Sequence, residues 1–206
     1  MSKASRSVCY TCYRPSSSCL CSSISAIDTQ TQFVLLMHPK EFRKTKNGTG
    51  HLTHLSLNNC QLYIGSQFET HPQITALLKH PQNNCFVLYP SDNSINLNQN
   101  ALPHQKGTKI ILFLIDATWA CSRAMLKQSP RLDSLPKVSF THNKNSGFLF
   151  KTQPKDYCLS TIESTLCILE LLNTHHIEDI PQENLTHFLD PFHKMVAYQV
   201  ACHTEE

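Results

Sequence analysis

Continuous runs of apolar residues predict three buried β-strands in this chain. They cover residues 33–37, 85–89 and 110–115, and polar residues or proline follow each of them. Apolar runs of this length without polar alternation are typical of strands that are covered on both faces of a sheet. Shorter runs predict two further strands at residues 61–64 and 138–140.

Apolar residues at helical spacing lie between the predicted strands. The clearest stripe predicts a helix over residues 160–173, and its members are Ile162, Leu166, Leu169 and Leu172. Similar patterns predict helices at residues 49–57, 72–79, 118–127 and 183–202. We expect the last helix to break near Asp190-Pro191, and we expect surface loops at residues 40–48 and 91–108. This alternation predicts an α/β fold, with a mostly parallel sheet and helices on both of its faces.

The size and composition of the chain are those of a globular protein. Its 206 residues are enough for one domain with its own core, and 40% of them are hydrophobic and 16% charged. No apolar stretch approaches the roughly 20 residues that span a membrane. No apolar segment follows the polar amino terminus, as it would in a signal peptide. We therefore expect a cytoplasmic protein that does not attach to membranes.

Charge and glycine content narrow the functional classes. The formal net charge is +3 and the chain has 12 histidines, a mildly basic balance that is compatible with RNA binding without being diagnostic of it. The chain has five glycines and lacks the pattern G-x-G-x-x-G. A nucleotide site of the Rossmann type is therefore not expected.

Four of the ten cysteines are clustered near the amino terminus. They follow the spacing Cys-x2-Cys-x6-Cys-x-Cys and are Cys9, Cys12, Cys19 and Cys21. Because nothing indicates secretion, this cluster points to a metal rather than to disulfides. A structural zinc ion with four thiolate ligands is the preferred interpretation, and an iron–sulfur cluster or four reduced thiols stay open. The pattern predicts a zinc-binding segment at residues 1–24 and a main domain at residues 25–206.

Asp116 directly follows the most apolar run of the chain, and Thr118 and Trp119 come next. In an open α/β sheet, ligands bind outside the carboxyl ends of the strands, so a carboxylate at this position is a candidate for chemistry. The alternative is that Asp116 caps the following helix. Thr118 fits a helix cap or a ligand contact, and Trp119 fits stacking on a ligand or packing in the protein.

Two further segments carry candidate polar residues. The sequence Ser-Thr-Ile-Glu at residues 160–163 is the pattern of a capping box, with Ser160 as the N-cap and Glu163 three positions later. The free N–H groups at such a helix start also suit a carboxylate ligand. The basic residues that follow His38 fit either a solvated loop or contacts with RNA phosphates.

Four segments together resemble a known family. In chain order they are the cysteine cluster with Arg14-Pro15, His38-Pro39-x-Glu41, Asp116-x-Thr118-Trp119 and Leu159-Ser160-Thr161-Ile162-Glu163. Their identity and order resemble the DTW-domain family over about residues 9–170. That family comprises tRNA-uridine aminocarboxypropyltransferases, with relatives among rRNA-modifying enzymes.

The resemblance implies a SPOUT-like α/β fold with a deep trefoil knot whose loops bind S-adenosylmethionine. It implies transfer of the 3-amino-3-carboxypropyl group of this co-substrate to N3 of a uridine in tRNA, with methylthioadenosine as the leaving group. Asp116 would take the N3 proton as a general base. The residues expected to bind the co-substrate are Thr118, Trp119, Ser160, Thr161 and Glu163. Those expected to border or contact the substrate RNA are His38, Lys40, Glu41, Arg43, Lys44, Lys46, Arg123 and Lys151.

The chain departs from the family pattern in two places. His51 stands where the family usually has Arg, and Phe148 and Lys151 stand where it usually has Tyr and Arg. Lys keeps the positive charge of Arg but lacks its bidentate geometry. Two alternatives remain, an RNA methyltransferase of the SPOUT type and a non-catalytic zinc-ribbon RNA-binding protein. In the preferred interpretation tRNA is the partner, Zn²⁺ is structural, and no obligate protein partner is indicated.

Overall fold

A single parallel sheet organises the chain. The computed structural model describes residues 7–43, 48–105, 107–142, 146–147 and 159–204. The strands are β1 (Gln32–Met37), β2 (Cys60–Ile64), β3 (Asn83–Leu88), β4 (Ile95–Asn96), β5 (Lys109–Asp116) and β6 (Lys137–Ser139). Their order across the sheet is β2-β1-β5-β3-β6-β4, and every neighbouring pair runs parallel. The predicted α/β fold is therefore confirmed, and its sheet is parallel throughout these strands.

Helices connect the strands and follow the last of them. They are α1 (Pro39–Phe42), α2 (Thr49–Leu55), α3 (Pro72–Lys79), α4 (Trp119–Lys127), α5 (Pro130–Asp133), α6 (Thr161–Thr174), α7 (Gln182–His187) and α8 (Asp190–Thr204). Proline occupies the first turn of α1, α3 and α5, where its missing N–H is not needed for the helix. Within the described ranges, none of the helices is long and apolar enough to cross a membrane.

The sheet buries an apolar core on each of its faces. On one face, Leu35 and Leu112 belong to a cluster that includes residues of α2, α6 and α8. On the other face, Val34 and Phe113 belong to a cluster that includes residues of α3, α4 and α5. Successive side chains of a strand point to opposite faces, so neighbours in β1 and β5 enter different cores. The predicted cover of helices on both faces is confirmed, and it explains why these strands are unbroken apolar runs in the sequence.

Two predicted loops contain secondary structure. The loop expected at residues 40–48 begins as α1, because the His38 side chain caps this helix and its Nδ1 accepts the N–H of Lys40 at 3.1 Å. The loop expected at residues 91–108 contains β4, which is held by pairing with β6 rather than by its own two residues. The helix expected at residues 183–202 is divided into α7 and α8, and this break next to Asp190 was predicted.

The cysteine-rich amino-terminal segment packs onto the main core. Leu20 is buried and belongs to the same apolar cluster as residues of α8. The buried guanidinium of Arg14 donates from Nη2 to Sδ of Met195 in α8 at 3.0 Å. Nearby, Lys194 Nζ donates to Ser22 Oγ at 3.1 Å. Apolar and polar contacts thus fix this segment to α8.

Candidate functional site

A cavity of about 560 Å³ lies at the carboxyl ends of β3, β5 and β6. The first residues of α4 and α6, Thr49 of α2 and Glu41 of α1 also line it. Ligands of parallel sheets bind at this edge, and small-molecule sites usually have volumes of about 300–1,000 Å³. The walls combine aromatic rings with hydroxyls and carboxylates, which suits a ligand that carries both apolar and charged groups.

Asp116 is the last residue of β5 and lines the cavity. The residue is 8% exposed, and its Oδ1 accepts a hydrogen bond from Thr161 Oγ1 at 2.7 Å. Its backbone carbonyl accepts the N–H of His38 at 3.0 Å, which joins the end of β5 to the residue after β1. The alternative in which Asp116 caps α4 is wrong, because Thr118 is the N-cap and accepts the N–H of Cys121.

Helix α2 places a glycine directly against Asp116. A Cβ atom at Gly50 would lie 2.7 Å from the carboxyl carbon of Asp116 and 2.8 Å from Cε of Met37. Carbon atoms in contact are normally about 3.5–4.0 Å apart, so this position has room for a hydrogen atom only. The absence of a side chain at Gly50 lets α2 cover the carboxylate and keep it buried.

Aromatic side chains form the wall near the start of α4. Trp119 is 44% exposed, and its ring meets the ring of Tyr89 edge-on with centroids 5.9 Å apart. Both rings line the cavity, as do Phe140 and His142. Exposed rings at a cavity are suited to stacking on a nucleobase. Thr118 also lines the cavity while it caps α4, so the cap is confirmed and the ligand contact stays a prediction.

The predicted capping box at the start of α6 is confirmed. Glu163 Oε2 accepts hydrogen bonds from Ser160 N at 2.8 Å, Ser160 Oγ at 2.5 Å and Ser146 Oγ at 2.8 Å. Its Oε1 accepts the N–H of Gly147 at 2.7 Å. Ser160 and Thr161 line the cavity, whereas Glu163 does not. Glu163 therefore holds the start of α6 and the backbone at residues 146–147 together.

The predicted RNA-contacting residues occupy several places. Glu41 lines the cavity. His38 caps α1, and its backbone N–H donates to the backbone carbonyl of Asp116. Lys40 and Arg43 are exposed at α1, and Arg123 is exposed on α4. The other predicted positions, Lys44, Lys46 and Lys151, lie outside the described residues, and so does Phe148, where the sequence departs from the family pattern.

The four clustered cysteines are arranged as metal ligands. The sulfur atoms of Cys9, Cys12, Cys19 and Cys21 all lie within 4.8 Å of one another. Cys9 Sγ and Cys21 Sγ are 3.6 Å apart, and Cys12 Sγ and Cys19 Sγ are 3.7 Å apart. Tetrahedral zinc with Zn–S bonds of about 2.3 Å separates its sulfur ligands by about 3.8 Å, whereas a disulfide needs about 2.0 Å. The donor set therefore fits a four-coordinate thiolate site with every position filled by protein.

The thiols of this cluster differ in their pKa values. Hydrogen bonds from the backbone, first that of Cys12 and then that of Thr11, lower the pKa of Cys9 to about 6. Burial, followed by hydrogen bonds with the neighbouring thiols, raises the pKa of Cys21 to about 12. Metals bind thiols as thiolates, so a bound cation would favour the deprotonated form of its ligands.

His51 lies where the cysteine-rich segment meets α1 and α2. Its ring centroid is 5.3 Å from that of Tyr13 and 5.3 Å from that of Phe42. Burial, and then the charges of His54 and Arg14, lower the pKa of His51. Its buried Nε2 has no hydrogen-bond partner within the described part of the chain. A neutral ring therefore packs between the cysteine-rich segment and the two helices.

The sequence interpretation missed several residues of the cavity wall. Tyr89 directly follows β3 and Phe140 directly follows β6, so the rule that selected Asp116 would have selected them as well. Thr49 does not follow a strand, so the same rule could not select it. It reaches the cavity because of how α2 packs in the folded chain. His142 likewise follows no recognisable motif.

Comparison with known proteins places this chain among characterised relatives. It is 31% identical over 202 residues to tRNA-uridine aminocarboxypropyltransferase 2 of Drosophila melanogaster, which covers 95% of the chain and 76% of that relative. It is 26% identical over 175 residues to the Mus musculus protein of the same name, covering 83% of the chain and 58% of the relative. It is 31% identical over 136 residues to tRNA-uridine aminocarboxypropyltransferase A of Arabidopsis thaliana, covering 60% of the chain and 52% of the relative.

None of the solved structures matches this chain significantly. The family assignment follows instead from a sequence profile that matches nearly the whole chain. The profile of the DTW domain matches residues 6–200, a range that includes the clustered cysteines, Asp116 and the start of α6. The segments that suggested the resemblance therefore lie within one matched domain, and the chain belongs to the DTW-domain family.

Proposed function

We propose that this protein transfers the 3-amino-3-carboxypropyl group of S-adenosylmethionine to N3 of a uridine in tRNA and releases methylthioadenosine. The observation that carries the proposal is the buried carboxylate of Asp116, which Thr161 holds at 2.7 Å in a cavity with aromatic walls. The relatives named tRNA-uridine aminocarboxypropyltransferases support the same reaction.

The reaction forms one bond and breaks another. Uridine N3 attacks the methylene carbon next to the sulfonium, and the carbon–sulfur bond breaks with its electron pair staying on sulfur. The N3 proton, whose pKa of about 9 is close to that of a free thiol, must leave during this step. Asp116 accepts that proton in our proposal, and general-base help of this kind accelerates reactions by about 10²–10⁴-fold.

The chain's other cavity residues would orient the two reactants. Thr161 donates to Oδ1 of Asp116 and so fixes the plane of the carboxylate. We assign binding of the donor to Trp119 and Thr118 at the start of α4, together with Ser160 and Thr161 at the start of α6. Glu163 would act on the donor through Ser160, because its oxygens are engaged by Ser160 and by residues 146–147. Such orientation of reactants supplies much of the rate in group transfer.

The remaining assignments concern RNA, metal and topology. The zinc ion would be structural, because four protein thiolates leave it no open position for a substrate. We propose a SPOUT-type fold with a trefoil knot for residues 25–206, supported by the parallel sheet and the cavity at its carboxyl edge, and a zinc-binding segment at residues 1–24. Phosphate contacts or border positions are assigned to His38, Lys40, Glu41, Arg43, Lys44, Lys46, Arg123 and Lys151.

The deciding experiment incubates the purified protein with S-adenosylmethionine and unmodified tRNA and identifies the small products by mass spectrometry. We expect methylthioadenosine, in an amount equal to the uridine that gains the aminocarboxypropyl group in digests of the same tRNA. A reaction without tRNA is the control for spontaneous breakdown of the donor.

Two outcomes would overturn the proposal. S-adenosylhomocysteine as the product would identify an RNA methyltransferase of the SPOUT type instead. Absence of any product from a protein that binds both tRNA and donor would favour a non-catalytic RNA-binding protein. Donor binding has its own readout, because Trp119 is the only tryptophan of the chain and lines the cavity, so its fluorescence should change on binding.

A further inference from the structure

The turn between Cys9 and Cys12 carries a large aromatic side chain at the surface. Tyr10 is 89% exposed, the highest value among the large apolar side chains in the described ranges. Tyr13, three positions later, is 45% exposed. Single exposed apolar residues are common on proteins, but two exposed aromatic rings on one short turn are a candidate contact surface.

This turn is fixed independently of Tyr10. The N–H of Cys9 donates to the carbonyl of Arg14 at 2.8 Å, and the N–H of Tyr13 donates to the carbonyl of Cys9 at 2.8 Å. Tyr13 adopts φ 56°, a left-handed conformation that non-glycine residues adopt only when their surroundings impose it. The thiols of Cys9 and Cys12, on either side of this turn, belong to the four-cysteine cluster. A ring on a fixed turn loses little entropy when it binds, so Tyr10 is well placed to contact a partner.

The turn is connected to the cavity through α1. The ring centroid of Tyr13 lies 6.3 Å from that of Phe42, and Glu41, the neighbour of Phe42, lines the cavity. Lys40 of this short helix and Arg43, the residue after it, are exposed cations. A polyanion that enters the cavity with one nucleotide can therefore meet positive charge at α1, next to the aromatic turn.

The chemistry of the substrate requires such a neighbouring surface. Uridine N3 lies on the Watson–Crick edge, so it is accessible only in a nucleotide that is unpaired or has been flipped out of its stack. Its neighbours in the strand then lose stacking partners as well. Proteins that hold unpaired RNA commonly replace this lost stacking with aromatic side chains and hold the backbone with cations.

We propose that Tyr10 is a stacking platform for an unpaired tRNA base that flanks the target uridine, with Arg43 holding the phosphate between them. This inference rests on the proposed function, since it takes tRNA as the substrate. It gives the cysteine-rich segment a direct part in RNA recognition. The four-cysteine site then serves to hold the turn that carries the Tyr10 ring.

The test measures binding of zinc-loaded full-length protein to labelled unmodified tRNA by fluorescence anisotropy over a series of salt concentrations. We expect Tyr10→Ala and Tyr10→Leu to weaken tRNA binding about tenfold, whereas Tyr10→Phe, which keeps the ring, stays within about twofold of wild type. Because the contact is uncharged, the dependence of the affinity on salt should not change. Arg43→Gln should instead lower that slope by about one ion, and Lys79→Gln on α3 is its control.

Donor affinity from Trp119 fluorescence, melting temperature and zinc content should match wild type in all three Tyr10 variants. Equal tRNA affinity of Tyr10→Leu and wild type would overturn the proposal, because the ring would then have no role in binding. If Tyr10→Ala loses zinc, the comparison between Tyr10→Phe and Tyr10→Leu decides, since both keep a side chain of similar size. The two proposals can fail separately. If the wild-type protein makes no methylthioadenosine but Tyr10→Leu still weakens tRNA binding, the proposed reaction is refuted and the role of Tyr10 in tRNA binding stands.

Discussion

At the scale of single residues, activity should depend on the carboxylate that Thr161 holds at the end of β5. Asp116→Asn keeps the shape of the side chain and a carbonyl that accepts from Thr161, but an amide cannot take the N3 proton. We expect turnover to fall about 10²–10⁴-fold, measured as methylthioadenosine released per minute. Donor affinity and melting temperature should stay close to those of wild type.

Asp179→Asn is the matched control for Asp116, because Asp179 is exposed between α6 and α7. Turnover of the Asp116→Asn protein within about threefold of wild type would contradict a role as general base. The sequence predicted Asp116 as a site residue from its position after an apolar strand, and Thr161 from the family resemblance. It could not predict their contact, since 45 positions separate them and the contact depends on how α6 lies over β5.

At the scale of secondary-structure elements, α2 controls the surroundings of Asp116 through Gly50. Alanine is more favourable than glycine within a helix by about 1 kcal/mol, so Gly50→Ala would stabilise a helix that had free space beside it. Here the new methyl group would meet the carboxyl group of Asp116 and the side chain of Met37. We expect a lower melting temperature and a loss of turnover of about tenfold or more.

Gly65→Ala is the control, because a Cβ atom there would meet mainly the ring of Phe68 at 3.1 Å and no cavity residue. It should leave turnover unchanged. A Gly50→Ala protein that is both more stable and fully active would show that α2 does not cover Asp116 as described.

Elements with strong local signals were the ones that the sequence predicted well. The capping box of α6 and the Pro72 start of α3 are local features, and both helices lie where they were expected. The strand β4 was missed because its two residues owe their conformation to pairing with β6. The helix α1 was missed because a histidine caps it, and histidine is not among the residues usually sought at that position.

At the scale of the whole molecule, a metal ion held by the four clustered cysteines should control stability and RNA affinity rather than the chemical step. Removal of the metal by a chelator, or Cys12→Ser, should lower the melting temperature by about 5 °C or more, because the segment packed on α8 loses its order. Binding of tRNA should weaken while donor affinity persists. Cys202→Ser, at an exposed thiol, is the control.

An Asp116-like loss of turnover in Cys12→Ser, with stability and RNA affinity unchanged, would contradict a structural metal. The cysteine spacing was sufficient to predict that the four thiols lie together, because the geometry of such a cluster is local. The packing of the segment against α8 was not predictable, since it depends on the placement of distant helices.

The pH dependence of stability should reflect two histidines of α2, the buried His51 and the half-buried His54. Burial is the main cause that lowers the pKa values of His51 and His54 below their usual 6.5. As the pH falls below about 6.5, these histidines bind protons in the unfolded chain before they do so in the folded chain. The folded state therefore loses stability with falling pH, until the pH lies below the folded-state pKa values. We expect a lower melting temperature at pH 5.5 than at pH 7.5, and a smaller difference in a protein with His51→Gln and His54→Gln. An unchanged difference would assign the effect to other groups.

The contact of Arg14 with Met195 joins positions that are 181 residues apart, and this has a consequence for biosynthesis. Chains grow at about 5–20 residues per second, so roughly 10–40 s pass between synthesis of the cysteine turn and synthesis of α8. The cysteine ligands are close in sequence and can bind a metal during this interval, before their docking surface exists. Metal loading on the nascent chain would therefore precede completion of the core, and a shortage of zinc during translation would produce chains whose α8 lacks its partner.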